Sequence, residues 1–165
     1  MQKKLILDNS LIAEDFFEDY QLIGVQALVT PTVFCTEMKA KLGFSFKRIP
    51  QNDPTITFFV DKKSGLGIPG TLFENIPMEA KVHFGFYRFE IPFSNSDILL
   101  YENKKSDYLL IKELPEIDYL FLMSLEHYEY NNQPFIHWLS LLSSVKDCCY
   151  LDIDTLGESK TNLLF

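Results

Sequence analysis

Asp118-Tyr119-Leu120-Phe121-Leu122-Met123-Ser124-Leu125-Glu126 is the stretch that decides the fold. It is apolar at every position from Tyr119 to Met123 and has no polar face. Such a run, bounded by acidic residues, predicts a central strand over 118–126. Beyond it, Asn131 to Gln133 lead into Pro134, which reads as a helix start. Ile136, Leu139, Leu142 and Val145 then recur at helical spacing. Residues 148–153 read as the last strand, and the end of the chain as a loose tail.

The same order of parts occurs earlier. Asp19-Tyr20 opens an apolar strand over 20–29, and Thr30-Pro31 reads as an N-cap followed by proline at the first helical position. Val33, Phe34, Met38 and Leu42 fall at helical spacing, Gly43 supplies the stop, and 44–49 alternates as a strand. From Pro31 to Phe44 is 13 residues and from Pro134 to Cys148 is 14. Parallel strands need a crossover of about a dozen residues, and both helices have that length. The expected fold class is α+β: an antiparallel-rich sheet with two main helices on one face. Its core is expected to be a ferredoxin-like double βαβ unit with inserted β-strands. One domain is expected over 1–165, with βαβ units at about 19–49 and 118–154 and the inserted strands at about 55–112.

In the remaining segments, 3–8 reads as a strand, and Ser10 as the cap of a helical turn through Phe17. Residues 44–49 and 55–62 predict a hairpin through the turn Pro50–Pro54. Residues 63–80 read mostly as loop. A second hairpin is expected from 82–91 and 97–102, turning through Pro92–Ser96, with 107–112 as an edge strand.

The chain has 165 residues, is 47% apolar and carries a net charge of -8. That apolar content is enough for a core and excludes disorder over most of the length. The acidity argues against nucleic acid and anionic membrane, which need clustered cations. Arg48 and Arg88 are the only arginines. No run approaches the roughly 20 apolar residues of a membrane helix. The apolar run after Lys3-Lys4 stops at Asp8, too short for a signal peptide. Cys35, Cys148 and Cys149 make no disulfide framework and read as reduced thiols. A cytoplasmic location is expected.

Two motifs match in letters but not in context. Gly65-Leu66-Gly67-Ile68-Pro69-Gly70 fits GxGxxG, yet Pro69 and Pro77 forbid the helix whose N-terminus would face a pyrophosphate. Phe84-Gly85-Phe86-Tyr87-Arg88-Phe89 resembles the aromatic strand of RNA-recognition motifs. RNA binding through 84–89 is therefore a remote alternative. Val82 and His83 stand where a basic residue and glycine belong, and the net charge repels a polyanion. Alternation puts Phe84 and Phe86 on one strand face and Tyr87, Phe89 and Ile91 on the other.

Candidate chemical groups are few. Glu126-His127-Tyr128-Glu129 lies at a strand end entering a loop. With Thr30 in loop 30–32, His127 and Glu129 are the candidate ligand-binding residues. Asp152 and Asp154, at i and i+2 on the last strand, form a candidate carboxylate pair for acid/base work or a cation. Cys148 and Cys149 read as small buried hydrophobes rather than nucleophiles. No zinc-like spacing occurs, so no metal, no cofactor and no catalytic residue is expected.

Ile111-Lys112-Glu113-Leu114-Pro115-Glu116-Ile117-Asp118-Tyr119, leading into a strand, resembles the uncharacterised bacterial family named for the motif IPExxxDY. Ile111, Glu113, Asp118 and Tyr119 carry the likeness. Lys112 stands where proline belongs, and four residues rather than three separate Glu113 from Asp118. The lysine-rich start, the stretch Leu42 to Arg48 after a helix and the ending Asn162-Leu163-Leu164-Phe165 extend the similarity along the chain. The resemblance implies no activity. In structural terms, Pro115 turns the chain into the central strand and Asp118 is placed to accept bonds from turn amides.

Fifteen Phe, eight Tyr and one Trp are many for this length. With helices on one sheet face, the other must be covered by the inserted strands or by a second subunit. The leading expectation is a small cytoplasmic, non-enzymatic module acting by homodimerisation or protein–protein interaction. The alternative is a small-ligand sensor of the ACT kind, by analogy of fold.

Overall fold

The structure, a computed structural model, describes residues 16–60, 78–125, 129–130 and 133–164. The strand expected over 3–8, most of the turn expected from Ser10, the glycine motif at 65–70 and His127 lie outside the described residues. No described helix is long and apolar enough to cross a membrane.

The expected central strand is central. β1 (Tyr20–Ala27), β2 (Lys47–Arg48), β5 (Phe86–Glu90), β6 (Asp97–Glu102), β9 (Tyr119–Ser124) and β12 (Val145–Leu151) form one sheet in the order β12-β1-β9-β6-β5-β2. Every neighbouring pair is antiparallel. It follows that β9 and β12 run in the same direction, with β1 between them. β1 and β2 also run in one direction, with β9, β6 and β5 between them. A helix follows the first strand of each couple: α1 (Pro31–Leu42) after β1 and α2 (Phe135–Ser140) after β9.

Pleating sorts the side chains into two cores. Ile23, Val25, Ala27, Ile98, Leu100, Tyr119, Phe121 and Met123 face the helices, against Phe34 and Met38 of α1 and Phe135 and Leu139 of α2. Leu22, Leu99, Tyr101, Leu120 and Leu122 face the other way. That second face is covered by the chain itself. Ile111 and Ile117 come from the segment after β6, Ile153, Leu156 and Leu163 from the C-terminal segment, and Ile56, Phe58 and Val82 from a separate two-stranded sheet. This sheet pairs β3 (Thr55–Val60) with β4 (Met78–His83).

Helix α1 obeys its local signals. Pro31 starts it, and Gly43 ends it at φ 78° with its N–H donated to Lys39 O, the left-handed cap that glycine favours. The Thr30 side chain makes no capping bond. Helix α2 ends earlier than its apolar spacing implies, and Val145 belongs to β12. The Glu37 carboxylate of α1 accepts the Ser143 N–H (2.7 Å), the Ser143 hydroxyl (2.6 Å) and the Ser144 N–H (3.1 Å). Those amides are therefore not available to extend α2.

Burial opposes the Glu37 charge, but the bonds from Lys41, Ser143 and Ser144 outweigh it and hold its carboxyl well below the usual range. A group with a depressed folded pKa stabilises at pH above its unfolded value and loses that contribution as pH falls. Glu37→Gln is expected to cost about 2 kcal/mol at neutral pH. It should also flatten the loss of stability below pH 4.5, the ordinary carboxyl value. Urea titrations across that range check it, and parallel curves for the two proteins would refute the clasp.

Four expectations change. Residues 44–62 are not a hairpin: β2 pairs with β5, and β3 with β4. The Arg48 guanidinium grips the Asp53 carboxylate, and Asp53 in turn accepts the Phe86 N–H at 3.1 Å. This bracing carries the Pro50–Pro54 segment from one sheet to the other. Residues 82–91 are two strands, broken at Phe84-Gly85, where the Glu102 carboxylate accepts the Gly85 N–H (3.1 Å).

The edge strand expected at 107–112 is reduced to β8 (Tyr108–Leu109), paired with β7 (Lys104–Lys105). The tail is not loose. Ile153–Leu163 is a run of 3-10 turns kinked at Gly157. Tyr101 donates its hydroxyl to Leu163 O (2.9 Å), and Asn162 donates to Leu110 O (2.8 Å).

Candidate functional site

Two of the residue groups singled out from the sequence meet at one end of the helix-bearing sheet face. β6 ends where β9 begins, with Glu102 opposite Tyr119. Thr30, at the start of α1, lies above them. A cleft of about 420 Å³ is lined by Leu28, Thr30, Glu102, Lys104, Asp118 and Tyr119. Farther along α1, a second cleft of about 310 Å³ is bordered by Cys35, Lys39, Arg48 and Tyr87.

The charged groups of the first cleft are engaged in holding the fold. Asp118 Oδ2 accepts the Ala27 N–H at 2.8 Å, and Asp118 Oδ1 lies 3.0 Å from Lys104 Nζ. Ala27 sits at a β-bulge, where an amide loses its regular ladder partner. The Asp118 carboxylate thus accepts from an amide at the end of β1, not from the turn amides expected. Glu102 accepts from Gly85, and Tyr119 donates its hydroxyl to Val29 O. Arg48, besides gripping Asp53, lies over the Tyr87 ring.

Burial governs the protonation of the thiols and phenols described. Burial pushes the Cys35 thiol up to about 11. Burial also raises the Tyr119 phenol, helped by the Glu102 and Asp118 charges. Tyr87 is raised by burial and by Cys35, with Arg48 opposing. Cys148 is half-buried and Cys149 exposed, not the buried hydrophobes expected, and both thiols are raised by partial burial and by Asp147. A nucleophilic thiol needs the reverse, an electropositive site that stabilises the thiolate. At neutral pH these groups are hydrogen-bond donors.

The other candidates do not converge. Glu129 falls in the short strand β10 (Glu129–Tyr130), paired with β11 (Gln133–Pro134). Asp152 and Asp154 are not side by side on a strand, because β12 ends at Leu151. Asp152 caps the 3-10 segment by accepting the Asp154 N–H (3.0 Å), and Asp154 pairs with Lys160 at 3.7 Å. Of the family-motif residues, Ile111 is fully buried and Glu113 lies near Lys112 at 3.8 Å. Among the described residues, no three His, Cys, Asp or Glu side chains gather as a metal site. Phe84 and Phe86 are buried, so neither is presented to a nucleic-acid base as a stacking platform would require. Both arginines are paired intramolecularly, Arg48 with Asp53 and Arg88 with Asp97 at 2.6 Å.

Sequence reasoning missed Asn103, which is fully buried. Its side-chain amide donates to Leu114 O (2.9 Å) and Ile117 O (2.8 Å), and its Oδ1 accepts the Ile111 N–H (2.9 Å). Its backbone N–H reaches Asp118 O, and its carbonyl accepts from Leu110 N. One side chain thus folds 110–117 into the turn that delivers Asp118 and Tyr119. Nothing in Glu102-Asn103-Lys104-Lys105 announces this, since asparagine beside lysines ordinarily marks an exposed turn.

No family model, no curated protein and no solved structure matches this chain.

Proposed function

We propose that the protein is a small cytoplasmic, non-enzymatic module that acts by homodimerisation or by binding a protein partner. The observation that carries this reading is the edge strand β12, seven residues long at the outer margin of the sheet, against two residues in β2 at the other margin. A long edge offers a ladder of backbone groups to another chain. The engaged carboxylates of the Thr30 cleft support binding over chemistry.

The same strand order supports a ferredoxin-like core. Taking β1, β2, β9 and β12 alone leaves two βαβ units, with the β5–β6 hairpin inserted between β9 and β2. Membership of the IPExxxDY family is part of the proposal, supported by Asp118 and Tyr119 at the start of the central strand.

Native mass spectrometry of the whole chain tests the reading. A dimer is expected, weakened about tenfold by Cys149→Glu, since Cys149 is exposed on β12. A monomer at every concentration that also retains no protein from its host's lysate would remove the proposal. A second reading, a small-ligand sensor, is favoured by the cleft beside Thr30. It predicts a thermal shift with amino acids or nucleotides that Thr30→Ala reduces.

A further inference from the structure

On the sheet face opposite the helices, the fully buried rows stop one row short of the end of the strands. Leu22, Leu122 and Leu99 form a buried row across β1, β9 and β6. Beyond it come Tyr20 and Ser124, paired with each other, and Asp97 at the start of β6. These three are half-buried, Tyr20 packs against the core together with Phe16, and a cleft of about 560 Å³ lies beside them. That volume suits a small molecule, whose pockets run from roughly 300 to 1,000 Å³.

The lining combines aromatic rings with flat polar groups. Phe16 and Tyr20 are stacked, with centroids 5.0 Å apart and planes 14° apart, and Phe86 and Leu99 are also in the wall. The polar part of the lining includes Asp19, Asn52, Arg88, Asn95 and Asp97. Arg88 and Asp97 meet diagonally between β5 and β6 at 2.6 Å. This contact compensates the guanidinium charge, while the guanidinium's other N–H groups and the second carboxylate oxygen point to further bonding capacity.

The donor and acceptor inventory selects the ligand. An anion needs donors in a positive field, but Arg88 is already matched and the chain carries -8. A cation needs acceptors alone, and a guanidinium in the wall opposes it. A hydroxyl both donates and accepts. Adjacent hydroxyls on a ring therefore suit a wall where Arg, Asp and Asn alternate, with aromatic rings against the ring's C–H face. We propose that this cleft binds a neutral, hydroxyl-rich ring, that is, a saccharide. The proposal stands apart from the dimer reading, because β12 does not contribute to this wall.

Saturation-transfer NMR on the full chain tests it, with cellobiose, maltose and N,N′-diacetylchitobiose as probes and spermidine and inorganic phosphate as charged controls. At least one disaccharide is expected to give a saturable signal. Asn95→Ala and Asn52→Ala, both at exposed positions, should each weaken it about tenfold without changing the melting temperature. Thr30→Ala, in the other cleft, should leave it unchanged. No saturable signal from any disaccharide, a signal indifferent to both asparagine variants, or saturation by spermidine or phosphate alone would overturn the proposal. Native mass spectra of the same samples report the dimer separately, so either idea can fail while the other stands.

Discussion

Asn103→Ala is expected to destabilise the protein by about 4 kcal/mol, a large part of the 5–15 kcal/mol typical of a domain. The magnitude follows from what the substitution leaves behind. Ile111 N–H and Ile117 O lose their side-chain partner at buried positions, and Leu114 O is left with the Ile117 N–H alone. An orphaned buried group costs about 1–3 kcal/mol, more than the net value of the bond it lost. The effect should also be directional. The amide of Ile111 should exchange with solvent far faster, and the Tyr119 environment should change, because the cage shapes the approach to β9. Urea unfolding with hydrogen exchange checks this. A loss under about 1 kcal/mol, with Ile111 still protected, would mean that the cage does not hold the turn.

Gly24→Val is the second large effect, expected at about 3 kcal/mol. Propensity points the other way, since valine is favoured in strands and glycine is not. Space decides. A Cβ at position 24 would lie 2.8 Å from Leu151 Cδ1 and 2.9 Å from Ile117 Cδ1. Leu151 is half-buried on the edge strand and has room to yield, but Ile117 is buried in the second core. Gly24→Ala should cost less, about 1 kcal/mol, by the same route. Ile117→Val removes the Cδ1 atom that the new methyl meets. A double-mutant cycle of Gly24→Ala with Ile117→Val should therefore show favourable coupling, measurable by thermal or urea unfolding. Strict additivity would place the cost elsewhere.

The cleft near Thr30 shows why a motif can be structural. Asp118 and Tyr119 open the central strand, and their polar atoms bind Ala27 N–H, Lys104 and Val29 O. These bonds tie the start of β9 to the end of β1 and to the segment leading into α1. A chain that needs this junction needs those residue types whether or not a ligand ever enters.

The sequence by itself determined the elements whose signals are local. The apolar run Tyr119–Met123 made a central strand, because no face of it tolerates water. Pro31 and Gly43 set the ends of α1 through one fixed φ and one left-handed cap. The alternation in 86–91 sorted Phe86 from Tyr87 and Phe89, which pack in different cores.

Tertiary structure alone decided the pairing of β2 with β5 rather than with β3, because Asp53 binds Phe86 across 33 positions. It decided the early end of α2, through a carboxylate on another helix. It decided that the second sheet face is covered by 110–117 and by the C-terminal segment, through one buried asparagine and a buried tyrosine hydroxyl. Each of these is a polar side chain meeting a backbone group far away in sequence. Periodicity records which residues avoid water, and it carries no record of which distant amide a lone carboxylate or amide will satisfy.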